Sequence, residues 1–165
     1  MSHMKKAIWN SMLDADMNAR YWKYLVRRYL ARDKGLKIFL AIMASGTVAG
    51  WGVWESFPWL WKSLSAGAAI VAILLPILNF QKSIEQMSYL AGKWGELRIE
   101  YEDLWLQVKH DKKEVNEHTY YKRYRKIVSS LQEKEIKLPE DKKLLWKCFN
   151  EVIETRNLKK EENYE

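Results

Sequence analysis

Hydrophobic and polar positions follow two different patterns along this chain. Residues 38–54 and residues 63–81 contain no charge, whereas the sequence on either side of them is dense in Lys, Arg, Asp and Glu. Only Glu55 and Lys62 are charged in the segment between the two stretches. A helix needs roughly 20 mostly apolar residues to cross a bilayer core of about 30 Å at 1.5 Å per residue. The pattern therefore predicts two membrane-spanning helices joined by a short loop.

This predicted transmembrane hairpin occupies residues 36–81, with spans at about 37–55 and 63–81. Cations crowd both of its outer flanks, whereas the loop offers only Lys62. The flanking cations are Arg27, Arg28, Arg32, Lys34 and Lys37 before the first span, and Lys82, Lys93 and Arg98 after the second. Because positive residues stay on the cytoplasmic side of a membrane, both termini are expected there and the loop outside.

Tryptophans cluster around the predicted loop. Amphipathic indole rings favour the headgroup level of a bilayer, so we interpret them as interface anchors rather than as a turn packed on itself. The four residues are Trp51, Trp54, Trp59 and Trp61.

Two long amphipathic helices are predicted outside the hairpin, at residues 5–35 and 82–111. Their apolar positions recur at spacings of four and three, which indicates a continuous seam along each helix. The first seam is Ile8, Met12, Ala15, Ala19, Trp22, Val26 and Tyr29; the second is Ile84, Met87, Ala91, Trp94, Tyr101, Trp105 and Val108, widened by Leu90, Leu97 and Leu104 and interrupted by Arg98. Joined through a hairpin, the helices should pair antiparallel and continue it into the cytoplasm. Trp22 should then lie near Trp94, and Gly92 and Gly95 should permit a close helix approach.

The remaining sequence predicts two more helices within residues 112–158. Tyr121, Tyr124, Val128 and Leu131 mark the first. Pro139 suits the first turn of the second, where Glu140 and Asp141 would complement the helix dipole. Residues 1–4 resemble a cloning remnant, and the charged tail at residues 159–165 is expected to fray. The predicted fold class is an all-α membrane protein, a transmembrane hairpin that continues into a cytoplasmic helical bundle.

Little in the sequence suggests catalysis. His110, Glu114 and His118 share a helical spacing, but the further ligands of a zinc site are missing, so we expect no metal and no cofactor. Cys148 lies on an apolar helix face, where a thiol is commonly a small buried hydrophobe. We expect that the protein is not an enzyme.

Small residues in the two spans are candidates for helix packing. Gly46 and Gly50 form a GxxxG pair, and Ala68 and Ala72 lie in the second span. Such faces let helices approach closely in lipid. They could serve the hairpin alone, or they could join several hairpins around a pore, because two spans cannot enclose an aqueous path. Pro76 is expected to kink the second span one turn before Asn79, which marks either a gate or the water interface.

A basic and aromatic run follows in the third cytoplasmic helix. It contains Lys122, Arg123, Arg125 and Lys126 among tyrosines. Such mixtures bind phosphate backbones and stack on bases. A solvated face is the simpler interpretation; a nucleic acid, a nucleotide, a lipid or a protein partner are the alternatives.

The arrangement resembles the SLATT domains, which are two-transmembrane effectors. The resemblance covers about residues 8–108, from the run Asn18-Ala19-Arg20-Tyr21-Trp22 to the run Glu100-Tyr101-Glu102-Asp103-Leu104-Trp105. It implies a location in the bacterial inner membrane and a role in antiviral or self-killing systems. It also implies a separate regulatory partner, such as a nucleotidyltransferase, a SLOG protein or a reverse transcriptase, and it transfers no catalytic residue.

Two functional hypotheses follow from the sequence, and a third, a small phage-type lysis protein, is disfavoured by the sizeable cytoplasmic bundle. The first is an oligomeric, pore-forming effector of an abortive-infection system, triggered by a separate sensor or ligand. The alternative is a membrane-anchored adaptor whose cytoplasmic bundle recruits a partner protein.

Overall fold

The computed structural model describes residues 3–45, 58–109 and 117–158. These residues form five α-helices and contain no β-strand, which confirms the all-α prediction. The helices are α1 (His3–Ala44), α2 (Pro58–Leu78), α3 (Phe80–Lys109), α4 (Glu117–Glu135) and α5 (Lys142–Thr155).

The chain divides into two compact units. Val26–Glu85 forms one, which we call the hairpin unit; Met1–Leu25 and Gln86–Glu165 together form the other, which we call the bundle unit. Both α1 and α3 contribute to each unit, because the boundaries between the units fall inside these helices, after Leu25 in α1 and after Glu85 in α3.

The core of the bundle unit is built on the two predicted apolar seams. Residues spaced by three and four positions lie inward on both helices, as an amphipathic stripe requires. The buried members are Ile8, Met12, Ala15 and Trp22 from α1, and Met87, Leu90, Trp94, Leu97, Tyr101, Leu104 and Val108 from α3. The seam prediction is confirmed.

Contacts between α1 and α3 establish an antiparallel register. The rings of Trp9 and Trp105 lie 5.1 Å apart. Further along α1, the indoles of Trp22 and Trp94 donate hydrogen bonds to the same oxygen of Glu135. Residue numbers rise along α1 as they fall along α3, so the antiparallel pairing and the closeness of Trp22 to Trp94 are both confirmed.

The last two helices complete the bundle unit. In α4, Tyr124 packs its ring 5.1 Å from that of Tyr101, and Leu131 is buried. In α5, one face is buried at positions four apart, and the backbone N–H of Asp141 donates to the hydroxyl of Tyr21 in α1. The buried α5 residues are Leu144, Cys148 and Val152.

The start of α5 differs from the prediction. Pro139 precedes the helix instead of lying in its first turn, and Asp141 is the N-cap residue. The Asp141 carboxylate accepts a hydrogen bond of 3.0 Å from the N–H of Leu144. A short acidic side chain in extended backbone satisfies an otherwise unpaired helix donor, and this capping sets the boundary.

The glycines beside Trp94 do not have the role that the sequence suggested. A Cβ atom built on Gly92 or on Gly95 would meet nothing within 4 Å. No helix therefore approaches closely at these positions within the described chain. The prediction of a close approach here is wrong, because Gly92 faces solvent and Gly95 is only half-buried, so neither lies on the packed face of α3.

We expect Asp141→Ala to lower the free energy of unfolding by about 1 kcal/mol, because the N–H of Leu144 loses its acceptor. The matched control is Glu140→Ala, which removes an adjacent exposed carboxylate that does not cap the helix. Chemical unfolding of the full chain in detergent, followed by helical circular dichroism, measures both. Equal losses in the two variants would contradict the capping role.

Candidate membrane hairpin and charged bundle core

Apolar side chains cover α2 on every side. Lys62 is the single charged residue of this helix. Ile70, Ile73 and Ile77 are 58%, 65% and 71% exposed, and none of the α2 side chains that the structure describes is buried. A helix that is hydrophobic all round is normally buried in a protein core or in a membrane. Within Val26–Glu85, the residues that the structure describes supply no such core.

The length of α2 limits what it can do alone. Among the described residues, no single helix combines the length and the hydrophobicity that a membrane crossing needs. The segment from Lys62 to Leu78, joined to α3 across a 44° bend, meets both criteria by length and composition. The uncharged part of α2 itself, residues 63–78, spans roughly 24 Å at 1.5 Å per residue.

The bend lies at Asn79. This residue has a positive φ of 41°, a backbone conformation that Asn tolerates better than most residues. Its carbonyl then accepts from the N–H groups of Lys82 and Ser83, which restarts the helix as α3. Pro76 lies inside α2, and the helix continues past it to Leu78. The prediction located the bend at Pro76, whereas the structure has it at Asn79.

The small residues of α2 divide between two faces. One face is half-buried, with positions that recur every three or four residues, and it includes Ala68. The other face is exposed and includes Ala72 and Pro76, in line with Asn79 just beyond the helix. The half-buried positions are Leu64, Gly67, Ala68, Val71 and Leu75. A Cβ atom on Gly67 would meet nothing within 4 Å, so tight packing inside the hairpin unit does not explain this glycine.

Several predicted site residues lie outside the described residues. These are Gly46, Gly50, Trp51 and Trp54, and also the side chain of Trp61. Trp59 is described and is 68% exposed at the first turn of α2, as an interface anchor requires.

The predicted basic patch is solvent-facing. Lys122, Arg123, Arg125 and Lys126 are all exposed on α4. Tyr121 and Tyr124 are half-buried instead, and the ring of Tyr124 packs on Tyr101. The tyrosines of this run belong to the core side of α4, which leaves four cations within five residues facing solvent.

The described chain gives no support to metal chemistry. Residues 110–116 and the side chain of His118 lie outside the description, so the His110, Glu114 and His118 arrangement falls there. In the ranges that are described, no three His, Cys, Asp or Glu side chains come together as a metal site.

The bundle unit also buries a carboxylate that no sequence pattern predicted. Asp16 is only 2% exposed and lies beside Ala15 on the inner side of α1. Its Oδ1 accepts from Nε of Arg20 at 3.0 Å, and its Oδ2 lies 3.5 Å from Arg156. Arg98, the residue that interrupts the α3 seam, approaches within 3.9 Å. Three arginines from three parts of the chain therefore surround one carboxylate.

Secondary contacts extend this group, which we call the Asp16 cluster. Arg156 also pairs with Glu102 at 3.2 Å, and Arg20 donates to the hydroxyl of Thr155 at 3.1 Å. The hydrogen bond to Asp16 raises the pKa of Arg20, whose charge is thereby secured. The cluster ties the end of α5 to α1 and α3.

A second polar contact lies at the end of α4. Glu135 Oε1 accepts hydrogen bonds from the indoles of Trp22 at 2.8 Å and Trp94 at 2.6 Å. Two buried donors from α1 and α3 thus share one acceptor from α4. Because a buried indole N–H costs free energy if it is left unpaired, this contact fixes α4 against both helices.

Cys148 and Tyr101 are fully buried in the core of the bundle unit. Burial raises the pKa of the Cys148 thiol to about 11, so the reactive thiolate is scarce at neutral pH. Burial is also the main reason that the pKa of Tyr101 rises to about 12. Both side chains act as core residues, which confirms the interpretation of Cys148 as a buried hydrophobe.

Comparisons with protein-family models, with curated proteins and with solved structures found no match to this chain. The resemblance to SLATT domains stays a prediction.

We expect Asp16→Ala to lower the free energy of unfolding of the chain by about 3 kcal/mol. Without the carboxylate, three arginines repel one another around an empty position. Because these arginines are partly exposed, the expected loss of stability is at the low end of the range for a broken buried ion pair. Asp103→Ala, at an exposed position of α3, is the matched control and should change stability by less than about 0.5 kcal/mol. An Asp16→Ala chain as stable as the control would refute the role assigned to the cluster.

Proposed function

We propose that this chain is a two-span membrane protein whose copies assemble and breach the bilayer. One observation carries the proposal: α2 directs its isoleucines outward on a helix with a single charge. In water that surface would be exposed at a cost of roughly 25 cal/mol for each Å² of apolar area. A bilayer removes this cost. The first span would comprise the end of α1, where Ile38 and Ile42 are about half exposed, and the residues that follow it.

The crossing by the second span includes the bend at Asn79. Residues 63–78 fall several ångströms short of a typical hydrocarbon core, so Asn79, Phe80 and Gln81 complete the span. Asn79 then lies near the cytoplasmic end of the crossing. A bend with an exposed amide at this depth can serve as a gate, because it turns one helical segment against the next.

Assembly of several copies is part of the proposal, because two helices cannot surround water. The exposed small side chain of Ala72, together with Pro76 and Asn79 on the same flank, offers a face to a neighbouring copy. Residues 63–78 carry no charge, so we expect a pore of weak ion selectivity that opens by widening an apolar constriction.

The biological role follows the resemblance to SLATT domains. We propose an effector of a bacterial antiviral or abortive-infection system that acts on the inner membrane when a separate sensor or ligand signals infection. The bundle unit would receive that signal.

A membrane-anchored adaptor is the second candidate. The four solvent-facing cations of α4 favour it, because an exposed positive surface suits an acidic partner or a nucleic acid. In this function the hairpin is only a tether.

The topology is testable by cysteine labelling. In a Cys148→Ser background, Ser56→Cys in the loop should react with a membrane-impermeant maleimide in intact spheroplasts. Ser129→Cys, at an exposed position of α4, should react only after lysis. The reverse pattern, or equal labelling of both positions before lysis, would exclude a hairpin with its termini in the cytoplasm.

Pore formation predicts a loss of membrane potential. Induced expression of the chain should depolarise cells loaded with a potential-sensitive dye. Ala72→Leu should slow depolarisation at least several-fold, because it fills a small-residue face without altering a buried contact. Ala66→Leu makes the same change about 120° around α2, on the side of the outward isoleucines, and should leave the rate unchanged.

The same assay separates the two candidate functions. Equal rates of depolarisation in Ala72→Leu and Ala66→Leu would contradict assembly through the small-residue faces. So would a Gly46→Leu, Gly50→Leu double variant that depolarises cells as fast as the original chain. An unchanged potential, together with stable capture of one partner that is lost in Arg123→Glu, would establish the adaptor instead.

A further inference from the structure

The outer side of α5 carries a second apolar surface. Trp146 is 65% exposed and Phe149 is 42% exposed. Their rings stack on each other with centroids 5.4 Å apart and planes 22° apart. The opposite side of α5 is the buried face of Leu144 and Cys148. This helix is therefore apolar on two sides, and only one of them is covered by the residues that the structure describes.

The spacing of the outer residues forms one stripe. Trp146, Phe149 and Ile153 are separated by three and four positions, the spacing that aligns side chains along one side of a helix. Large aromatic side chains that are rigid and exposed are the residues that most often anchor protein interfaces.

The stripe is flanked by a positive side chain at one end and by a negative side chain at the other. Lys143 lies near the start of α5 and Glu154 near its end, and both are exposed. They are eleven positions apart, which is close to three helical turns at 3.6 residues per turn, so they lie on the same flank of the stripe. Neither forms an ion pair in the part of the chain that the structure describes.

We propose that this surface binds the same surface of a second copy of the chain, with the two α5 helices antiparallel about a twofold axis. In an antiparallel pair, equivalent flanks face each other, so Lys143 of each copy meets Glu154 of the other. Trp146 meets Ile153 in the same way. The midpoints of these two pairings fall at positions 148.5 and 149.5, within about one residue of a common axis.

Other occupants match the surface less well. An anionic membrane would attract Lys143 but repel Glu154. An acidic or a basic partner helix would likewise complement one end of the stripe and oppose the other. Only a partner whose charges run in the opposite direction satisfies both ends, and an antiparallel copy of α5 provides this.

The α5 pairing goes beyond the proposed pore and does not depend on it. A twofold contact between identical surfaces closes at two copies. A larger assembly would need another contact, such as the one proposed for α2, so the bundle unit would pair subunits independently of the hairpin.

Charge exchange tests the pairing. Native mass spectrometry of the full chain in detergent micelles should show dimers whose dissociation constant rises roughly tenfold or more in Lys143→Glu and in Glu154→Lys. The double variant with the charges exchanged should dimerise like the original chain. Because the double variant restores the interaction, weakening in the single variants cannot reflect misfolding. Failure of this restoration, or a chain that stays monomeric at its highest soluble concentration, would overturn the proposal.

A cross-link distinguishes this contact from assembly through the hairpin. In a Cys148→Ser background, Asn150→Cys lies close to the proposed axis and should form a disulfide-linked dimer under mild oxidation, since bridged Cα atoms lie about 4.4–6.8 Å apart. Glu133→Cys, at an exposed position of α4, should not cross-link. Cross-linking of Asn150→Cys without depolarisation would uphold the pairing and refute the pore, whereas depolarisation without this cross-link would do the reverse.

Discussion

The bundle unit depends on a carboxylate that it could not bury alone. Desolvating Asp16 costs several kcal/mol, and an aspartate at 2% exposure is tolerable only when cations hold it from more than one direction. Arg20 comes from the same helix, whereas Arg98 and Arg156 arrive from α3 and from the end of α5. The carboxylate is compensated only when all three elements are in place. The position of α5, and hence the direction of its outer face, follows from that requirement.

Apolar packing alone would specify the bundle less sharply. Seams that repeat every seven residues remain apolar if one helix slides along the other by one heptad. The pairing of Asp16 with Arg98 and the shared acceptor Glu135 do not survive such a shift, because each would leave a buried polar group unpaired. Polar contacts at two levels of the bundle therefore select one register among several that the seams allow. This is the best-attested use of buried polar groups, which contribute less to stability than to uniqueness.

Periodicity predicted the parts of the fold that periodicity controls. The seams of α1 and α3, their antiparallel pairing and the closeness of Trp22 to Trp94 follow from spacing and connectivity. The burial of Asp16 could not be predicted from spacing, since a charged residue next to Ala15 is also expected at the solvent-facing edge of the seam. Arg98, which interrupts the seam of α3, was the one sequence feature that pointed to a buried charged group. The start of α5 and the bend at Asn79 were misplaced because each depends on one residue's backbone conformation. The candidate site was predicted as an apolar hairpin. Which of its small residues are half-buried and which are exposed could not be predicted, because this depends on how the helices pack in three dimensions.

The contrast between the two units is the strongest physical argument about where this chain works. In the bundle unit, charges that leave water are surrounded by partners, as an aqueous protein requires. In α2 the opposite holds, because Lys62 is its only charged residue and its apolar side chains are not buried by any residue that the structure describes. Fully burying one isoleucine is worth about 1.5–3 kcal/mol, so the outward row of Ile70, Ile73 and Ile77 alone supplies several kcal/mol for leaving water. Native proteins are typically stable by only about 5–15 kcal/mol, so leaving this surface in water would cost a large fraction of that stability. This contrast supports the proposal of a membrane hairpin, because a bilayer core of about 30 Å would match α2 in length once the bend at Asn79 is included.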